Sequence, residues 1–447
     1  MRIAVIGSGI SGLSSAWLLA REHEVTLYER EPRLGGHGNT VLVDHDGVST
    51  PVDTGFIVYN EATYPNLIAL FDHIGIATEA SDMSFSVCVG EGLLEYEGSL
   101  AGLLAQPSNI LKPWYWGMWR DIIRFYKSAP KLLDQPSEAP LSLGAFLERG
   151  GYGAAFREHH LLPMAAAIWS CPMETMLAFP ARSFVRFFVN HGLFNLGVRP
   201  EWRTVSGGSR VYIETLARAL GDKIRLGHPV VAVERSEGAV SVTDGAGETG
   251  HYDQVVIAAH GDEALSMLKD PSAEETRLLS AFGYQSNTVV LHRDPSLMPK
   301  RKGAWAAWNY LASNDREGNQ SVSLTYWMNR LQNIDPSRPL FVTMNPARQP
   351  DPDLVFQSFS YDHPVFDQAA IDAQAALPTI QGVNRTWFCG SYLGYGFHED
   401  GLKSGIAVAQ GLGATIPWLT EVQPANHGAE NARVPSSNQS PALAAGD

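Results

Sequence analysis

Three glycines and one acid carry the first recognisable chemistry in this chain. Gly7, Gly9 and Gly12 stand in a GxGxxG spacing directly after an apolar run at 3–6, and Glu29 closes a second apolar run at 25–28. Residues 13–20 between them read as a helix. Strand, tight turn, helix, strand and acid, in that order, are the parts of a dinucleotide site. Gly7 permits the turn off the strand, Gly9 lets backbone approach a diphosphate, and Gly12 lets the helix pack closely on its sheet. The first helical amides, around Ile10 and Ser11, add the positive end of the helix dipole. Glu29 is placed to accept hydrogen bonds from a ribose.

A second cluster, Arg33-Leu34-Gly35-Gly36-His37-Gly38, follows the acid. A simple nicotinamide site does not require it. A longer cofactor with backbone lying along it does. Residues 41–43 and 48–52 then read as a hairpin turning at Asp46-Gly47, leading into Asp53-Thr54-Gly55-Phe56. Far downstream, Gly390-Ser391-Tyr392 and Tyr395 precede His398, Asp400-Gly401, Lys403 and Ser404-Gly405, which open a helix of small residues.

Taken together, these motifs resemble the FAD-binding half of the flavin amine oxidase and phytoene desaturase superfamily. The resemblance implies FAD, held by the glycines above with Ile10, Ser11, Glu29, Arg33, His37, Thr54, Gly55 and Phe56. It further implies adenine contact by the backbone of Val231 or Val233, and cofactor contacts at Ala258, Gly390, Ser391, Asp400 and Gly401. The closing helix would start at the pyrimidine side of the flavin ring, where its dipole favours the charge of a reduced flavin. Two residues depart from the pattern: His37 stands where the family often has Arg, and Ser391 where it commonly has Asp. The overall pattern is most similar to bacterial FAD-binding proteins associated with cyclopropane-fatty-acid-synthase-like methyltransferases, some of which desaturate methyl-branched fatty acyl chains.

Three side chains are candidates for the reacting centre. His398 titrates near neutrality and precedes the flavin-facing helix start, so it is the expected base. Tyr395, with Tyr392, would wall the ring, and Lys403 could bind a flavin-associated water. The first functional expectation is hydride transfer from a substrate C–H to flavin N5, desaturating or dehydrogenating a lipid or fatty acyl chain, with oxygen or a quinone taking the electrons. The alternative is a flavin-containing amine oxidase, which would need an aromatic cage or a carboxylate; Tyr361-Asp362-His363 is the candidate. A second alternative is a flavin- or lipid-binding protein without turnover. A nicotinamide dehydrogenase would leave the second glycine cluster and the closing motif without a task.

The elements that must position these residues lie in three separated stretches. The expected fold is α/β: a discontinuous Rossmann-like FAD-binding domain at 1–75, 200–275 and 380–420, with an α+β substrate domain inserted in two segments, 76–199 and 276–379. Residues 421–447, rich in Ala, Pro, Ser and Asn without periodicity, read as a disordered tail. Phe184, Phe187, Phe188 and His191 recur at helical spacing, as core or as the lining of an apolar tunnel. Between residues 112 and 131 five basic residues and one acid interleave with Trp, Tyr, Ile and Phe. That composition suits an interfacial helix as well as an ordinary packed one.

Bulk composition limits the rest. A net charge of −14 in 447 residues argues against a general nucleic-acid binder. Cys88, Cys171 and Cys389 show neither metal-ligand spacing nor a disulfide framework, so no metal is expected. With no signal peptide and no apolar run long enough to span a bilayer, the expected location is cytoplasmic, with the inner membrane face as the alternative.

Overall fold

The computed structural model describes residues 1–90, 92–99, 101–134, 141–169, 173–190, 192–194, 200–314 and 320–420. The expected tail at 421–447 and His191 of the aromatic stripe lie outside these. The first strand, Arg2–Ile6, sits at the centre of a five-stranded parallel sheet. Across that sheet the strands run Ile224–Leu226, Glu24–Glu29, Arg2–Ile6, Gln254–Ile257 and Thr386–Phe388. Strands from all three separated stretches therefore interleave in one sheet.

Side-chain alternation explains why this sheet is covered on both faces. Ile3 and Val5 enter one hydrophobic cluster with Val25, Leu27 and Val256, while Ala4 and Ile6 enter another with Val255 and Ile257. Helix α1, Ile10–Leu19, starts three residues before the expected position and packs on the first of these faces. It crosses the helix His398–Gly411 at close range. A Cβ on Gly405 would stand 2.5 Å from the Ser11 carbonyl oxygen, and one on Gly401 would stand 2.8 Å from Ile10. The two small residues let the last motif of the chain lie against the first.

The other large unit is a seven-stranded mixed sheet. Its order is Val355–Val365, Gly283–His292, Phe341–Met344, Gln320–Trp327, Trp308–Asn314, Phe85–Val89 and Leu94–Glu97. All its pairings are antiparallel except that between Trp308–Asn314 and Phe85–Val89. Helices α2, Pro113–Ser128, and α3, Ala181–Asn190, cover it with shorter helical turns. Their buried faces join one aromatic-rich cluster with the inner face of the sheet. The hairpin forms as expected, with Thr40–His45 and Val48–Asp53 joined through Asp46 and Gly47 at positive φ. Among the described residues no helix is long and apolar enough to cross a membrane.

Candidate active site

A cavity of about 970 Å³ runs from the glycine turn at the sheet's edge into the interior of the mixed sheet. Its two ends are built differently. At the first, backbone does the work. Gly7, Gly9, Ile10 and Ser11 line the wall, and α1 begins there with no side-chain cap. Its first amides have no intrahelical acceptor, so they face the cavity as donors. A Cβ on Gly9 would meet nothing, while one on Gly36 would stand 3.2 Å from the Gly9 Cα. The two glycine clusters thus form opposite banks of one narrow channel. Gly12 lies behind it, where a Cβ would come within 1.9 Å of the Gly7 carbonyl oxygen.

Polar side chains hold this channel open. Glu29 Oε2 accepts from the Ser8 amide at 2.8 Å and its hydroxyl at 2.5 Å, and Oε1 accepts from the Glu31 amide at 2.9 Å. Three of the roughly four acceptor positions of this carboxylate, which borders the cavity, are thus filled, and about one stays available. Arg33 donates to the Gly36 carbonyl at 2.9 Å and so braces the glycine doublet. Asp53 accepts from Thr40 at 2.5 Å, from the Ser209 hydroxyl at 2.8 Å and from Gln332 at 2.9 Å. It ties three distant segments together just before Thr54, Gly55 and Phe56. Burial raises its pKa to about 6, against those hydrogen bonds. This uncapped, glycine-banked channel fits the diphosphate of a dinucleotide.

Midway along the cavity histidines gather. His37 lies 5.0 Å from the Tyr361 ring and 5.3 Å from His363, ring centre to ring centre, and its Nε2 has no hydrogen-bond partner among the described residues. Its pKa is lowered well below the usual histidine value, by burial first and then by His363, His260 and His398 nearby. His363 Nδ1 faces the Asn287 amide at 3.0 Å, and burial lowers its pKa to about 4. The Tyr361 hydroxyl bonds Asn39 and Thr54, both at 2.8 Å. These groups supply hydrogen bonds without bringing charge into the cavity at neutral pH.

Beyond them the wall becomes apolar and aromatic. Trp169, Phe187, Trp308, Tyr326, Met344 and Phe359 lead the lining there. They come from both inserted segments, and their spacing in the chain carries no motif. Of the described residues of the expected tunnel stripe, Phe187 reaches the cavity, while Phe184 and Phe188 are fully buried in the core behind it. Tyr395 lines the seam, with its ring 5.5 Å from Phe187. Asp400 accepts from the Tyr395 and Phe397 amides, both at 3.0 Å, and fixes this loop.

The structure corrects three expectations. His398 lines the cavity, but its Nε2 is engaged with the Tyr212 hydroxyl at 2.7 Å and its ring is stacked on Phe56 at 3.9 Å. Burial lowers its pKa to about 3, so it is a packed, neutral residue and a poor base. Lys403 is exposed on the outer face of its helix, away from the cavity. Val231 and Val233, expected to offer backbone to the adenine, are not among the residues bordering the cavity, whereas the neighbouring Val230 is. Gly12, Asp400 and Gly401 support the wall rather than line it. The remaining expected cofactor residues, Gly7, Gly9, Ile10, Ser11, Glu29, Arg33, Gly35, Gly36, His37, Thr54, Gly55, Phe56, Ala258, Gly390 and Ser391, border the cavity. Ser8, Asn39, His260 and Tyr284 were missed. Only Ser8, inside the glycine motif, carried a local signal.

The interleaved sheet, the glycine turn and the aromatic-lined cavity define an α/β protein whose site has the features of a dinucleotide cradle. Residues 10–355 match the family of flavin containing amine oxidoreductases. The chain belongs to that family, and the expected cofactor, FAD, agrees with it. A bovine (Bos taurus) flavin-containing amine oxidase A is 28% identical over 258 residues, covering 54% of this chain and 46% of that protein. The chain therefore spans less than half of that relative's length. Two solved structures share the fold. Wild-type putrescine oxidase bound to putrescine superposes with a TM-score of 0.66 at 15% identity, covering 92% of this chain and 99% of that one. A fatty acid isomerase from P. acnes gives 0.63 at 17%, covering 92% and 98%.

Proposed function

We propose that this chain is an FAD-dependent oxidoreductase acting on an apolar substrate, a lipid or fatty acyl chain, and that it belongs with the methyltransferase-associated bacterial group it resembles. The observation that carries this reading is the chamber wall: aromatic and aliphatic side chains, with the histidines beside it held neutral. In this reading residues 1–75, 200–275 and 380–420 bind the cofactor, and 76–199 and 276–379 shape the substrate chamber.

FAD, when bound, would supply a two-electron acceptor for a substrate C–H, with oxygen or a quinone taking the electrons from it. The chain's own residues prepare that site. The free amides of α1 and the facing Gly9 and Gly36 backbones receive the diphosphate, and Glu29 receives the ribose. Tyr361, held by Asn39 and Thr54, fixes the wall beside Thr54–Phe56. Tyr395, like any ordinary phenol, keeps its proton at neutral pH, and burial raises its pKa further. It is thus a donor at the seam. Trp169, Phe187 and Trp308 exclude water from the chamber, which favours an apolar chain and disfavours a hydrated cation.

An amine oxidase is the second reading, favoured by the bovine relative and by Tyr361 at the cavity wall. Its expected carboxylate is poorly placed. Asp362 pairs with Ser286 in the strand register and is part-exposed; it borders the cavity beside Tyr361 and His363, at the rim rather than among the aromatic side chains of the chamber. Anaerobic titration separates the readings. Purified protein is expected to be yellow, to release FAD on denaturation, and to bleach with a fatty acyl substrate or phospholipid but not with amines. Bleaching by amines alone would reverse the order, and a folded, colourless protein that takes up no FAD would sink both.

A further inference from the structure

Helix α2 has two faces of different character. Tyr115, Met118, Ile122 and Phe125 are buried, while Trp116, Arg120, Ile123, Arg124 and Lys127 lie on the opposite, exposed face. The turn before it, Pro107–Leu111, adds Leu111, which is 85% exposed. Trp116 is 53% exposed, yet its ring is not loose: its indole N–H donates to the Ile110 carbonyl at 2.8 Å. Lys112 donates to the Leu93 carbonyl at 3.3 Å, which brings Leu93, 74% exposed, to the same edge. Large apolar side chains held outward on a fixed frame are uncommon on a protein that meets only water.

Charge decides what covers them. Between residues 112 and 131 the sole acid is Asp121, which is buried against Arg124 and the Gly153 amide. Lys127 and Lys131 are exposed beyond it. The protein as a whole carries −14. An anionic surface would repel most of the molecule and attract this face, so the contact would also orient it. Trp and Ile between basic residues match the boundary between lipid headgroups and acyl chains.

The face is also close to the chamber. Phe125 on the buried side touches Phe194 at 5.6 Å, and Phe194 touches Phe188 at 5.2 Å. Phe188 in turn packs on Phe187 and Trp169, which line the cavity. We infer that the exposed face of α2 with the preceding turn is a docking surface for an anionic lipid membrane. This inference does not depend on the substrate, since an enzyme of any small apolar compound could use it.

The test uses the full chain loaded with FAD, with vesicles of phosphatidylcholine alone and with 30% phosphatidylglycerol added. The protein is expected to pellet with the anionic vesicles and to be released by high salt. Trp114→Ala with Trp116→Ala should lower partitioning at least tenfold. Lys127→Gln with Lys131→Gln, on exposed side chains that cannot upset the core, should lower it by about 25-fold, at roughly fivefold per basic residue. Brominated lipids should quench the fluorescence of the native chain more than that of the tryptophan variant. The inference is overturned if the native chain does not pellet, if it binds both vesicle types equally, or if both variants bind like the native chain. Displacement by soluble polyglutamate, without quenching by brominated lipid, would also overturn it and assign the face to an acidic protein.

Discussion

The two ends of the cavity recognise their contents by different means. The diphosphate end is made of backbone: glycines that bring two loops together and a helix start whose amides are free. The chamber end is made of side chains from both inserted segments. Backbone recognition depends on a few residues at fixed spacing, each with almost no tolerance. Side-chain recognition depends on total shape, so many residues share the work and each tolerates change. The first end should therefore be conserved in chemistry and the second free to vary with substrate.

Substitutions at the two ends should break in different ways. Gly12→Val is expected to have the largest effect, because even its first carbon would meet the Gly7 carbonyl, which is backbone and cannot move aside. Bound-flavin absorbance in the purified variant should fall at least 100-fold, or the chain should fail to fold.

Acid should strike the chamber half harder than the diphosphate half. His160 and His398, with pKa about 3, and His292 and His363, about 4, are all lowered chiefly by burial. They stay neutral in the fold but ionise in the unfolded chain below about 6.5. Their contribution is thus present above that pH and is lost on acidification, by about 1 kcal/mol each between pH 6.5 and 5.5. Asp53 and Asp400, raised to about 6 by burial, act with the opposite sign and gain stability as they take up protons below pH 6. Four histidines outweigh two acids, so thermal unfolding should move to lower temperature from pH 7 to 5.5. A rise would reject this balance.

Phe187→Ala should cost about 3 kcal/mol of stability, the usual penalty for emptying a packed aromatic site. It should nevertheless keep its flavin. Equal flavin loss in Phe187→Ala and Gly12→Val would mean that the two ends are one cooperative unit. Tyr361→Phe tests the seam between them. Losing the hydroxyl that serves Asn39 and Thr54 should cost about 1–2 kcal/mol in denaturant unfolding, and should weaken both flavin retention and turnover. Lys403→Ala, on the exposed helix face, should change neither by more than about twofold, within the usual range for surface substitutions. A larger effect on turnover would reopen a role for this lysine.

The same contrast explains what could be read from the chain. Gly7, Gly9, Gly12 and Glu29 are informative because a turn, a close approach and a strand end are local events. Asp400-Gly401 is legible for the same reason, as a helix start. Val231 stands one residue beyond Val230, which borders the cavity, and sequence alone does not resolve a strand to a single residue. His398 was misread because its titration depends on Phe56 and Tyr212, which only tertiary packing brings to it. The partners Asn39 and Tyr361 are 322 positions apart, and no spacing rule could join them. Trp169 and Trp308 carry no local pattern that separates a chamber wall from ordinary core.

The interleaved parallel sheet also sets a schedule for synthesis. The strand Gln254–Ile257 pairs with Arg2–Ile6 on one side and with Thr386–Phe388 on the other. The glycine turn leaves the ribosome hundreds of residues ahead of its neighbouring strand and of the helix that crosses α1. Sheets joined by such distant contacts form late and slowly. The nascent chain therefore carries an unfinished nucleotide cradle until the Gln254–Ile257 and Thr386–Phe388 strands arrive, and a ribosome stalled before them would present that cradle incomplete.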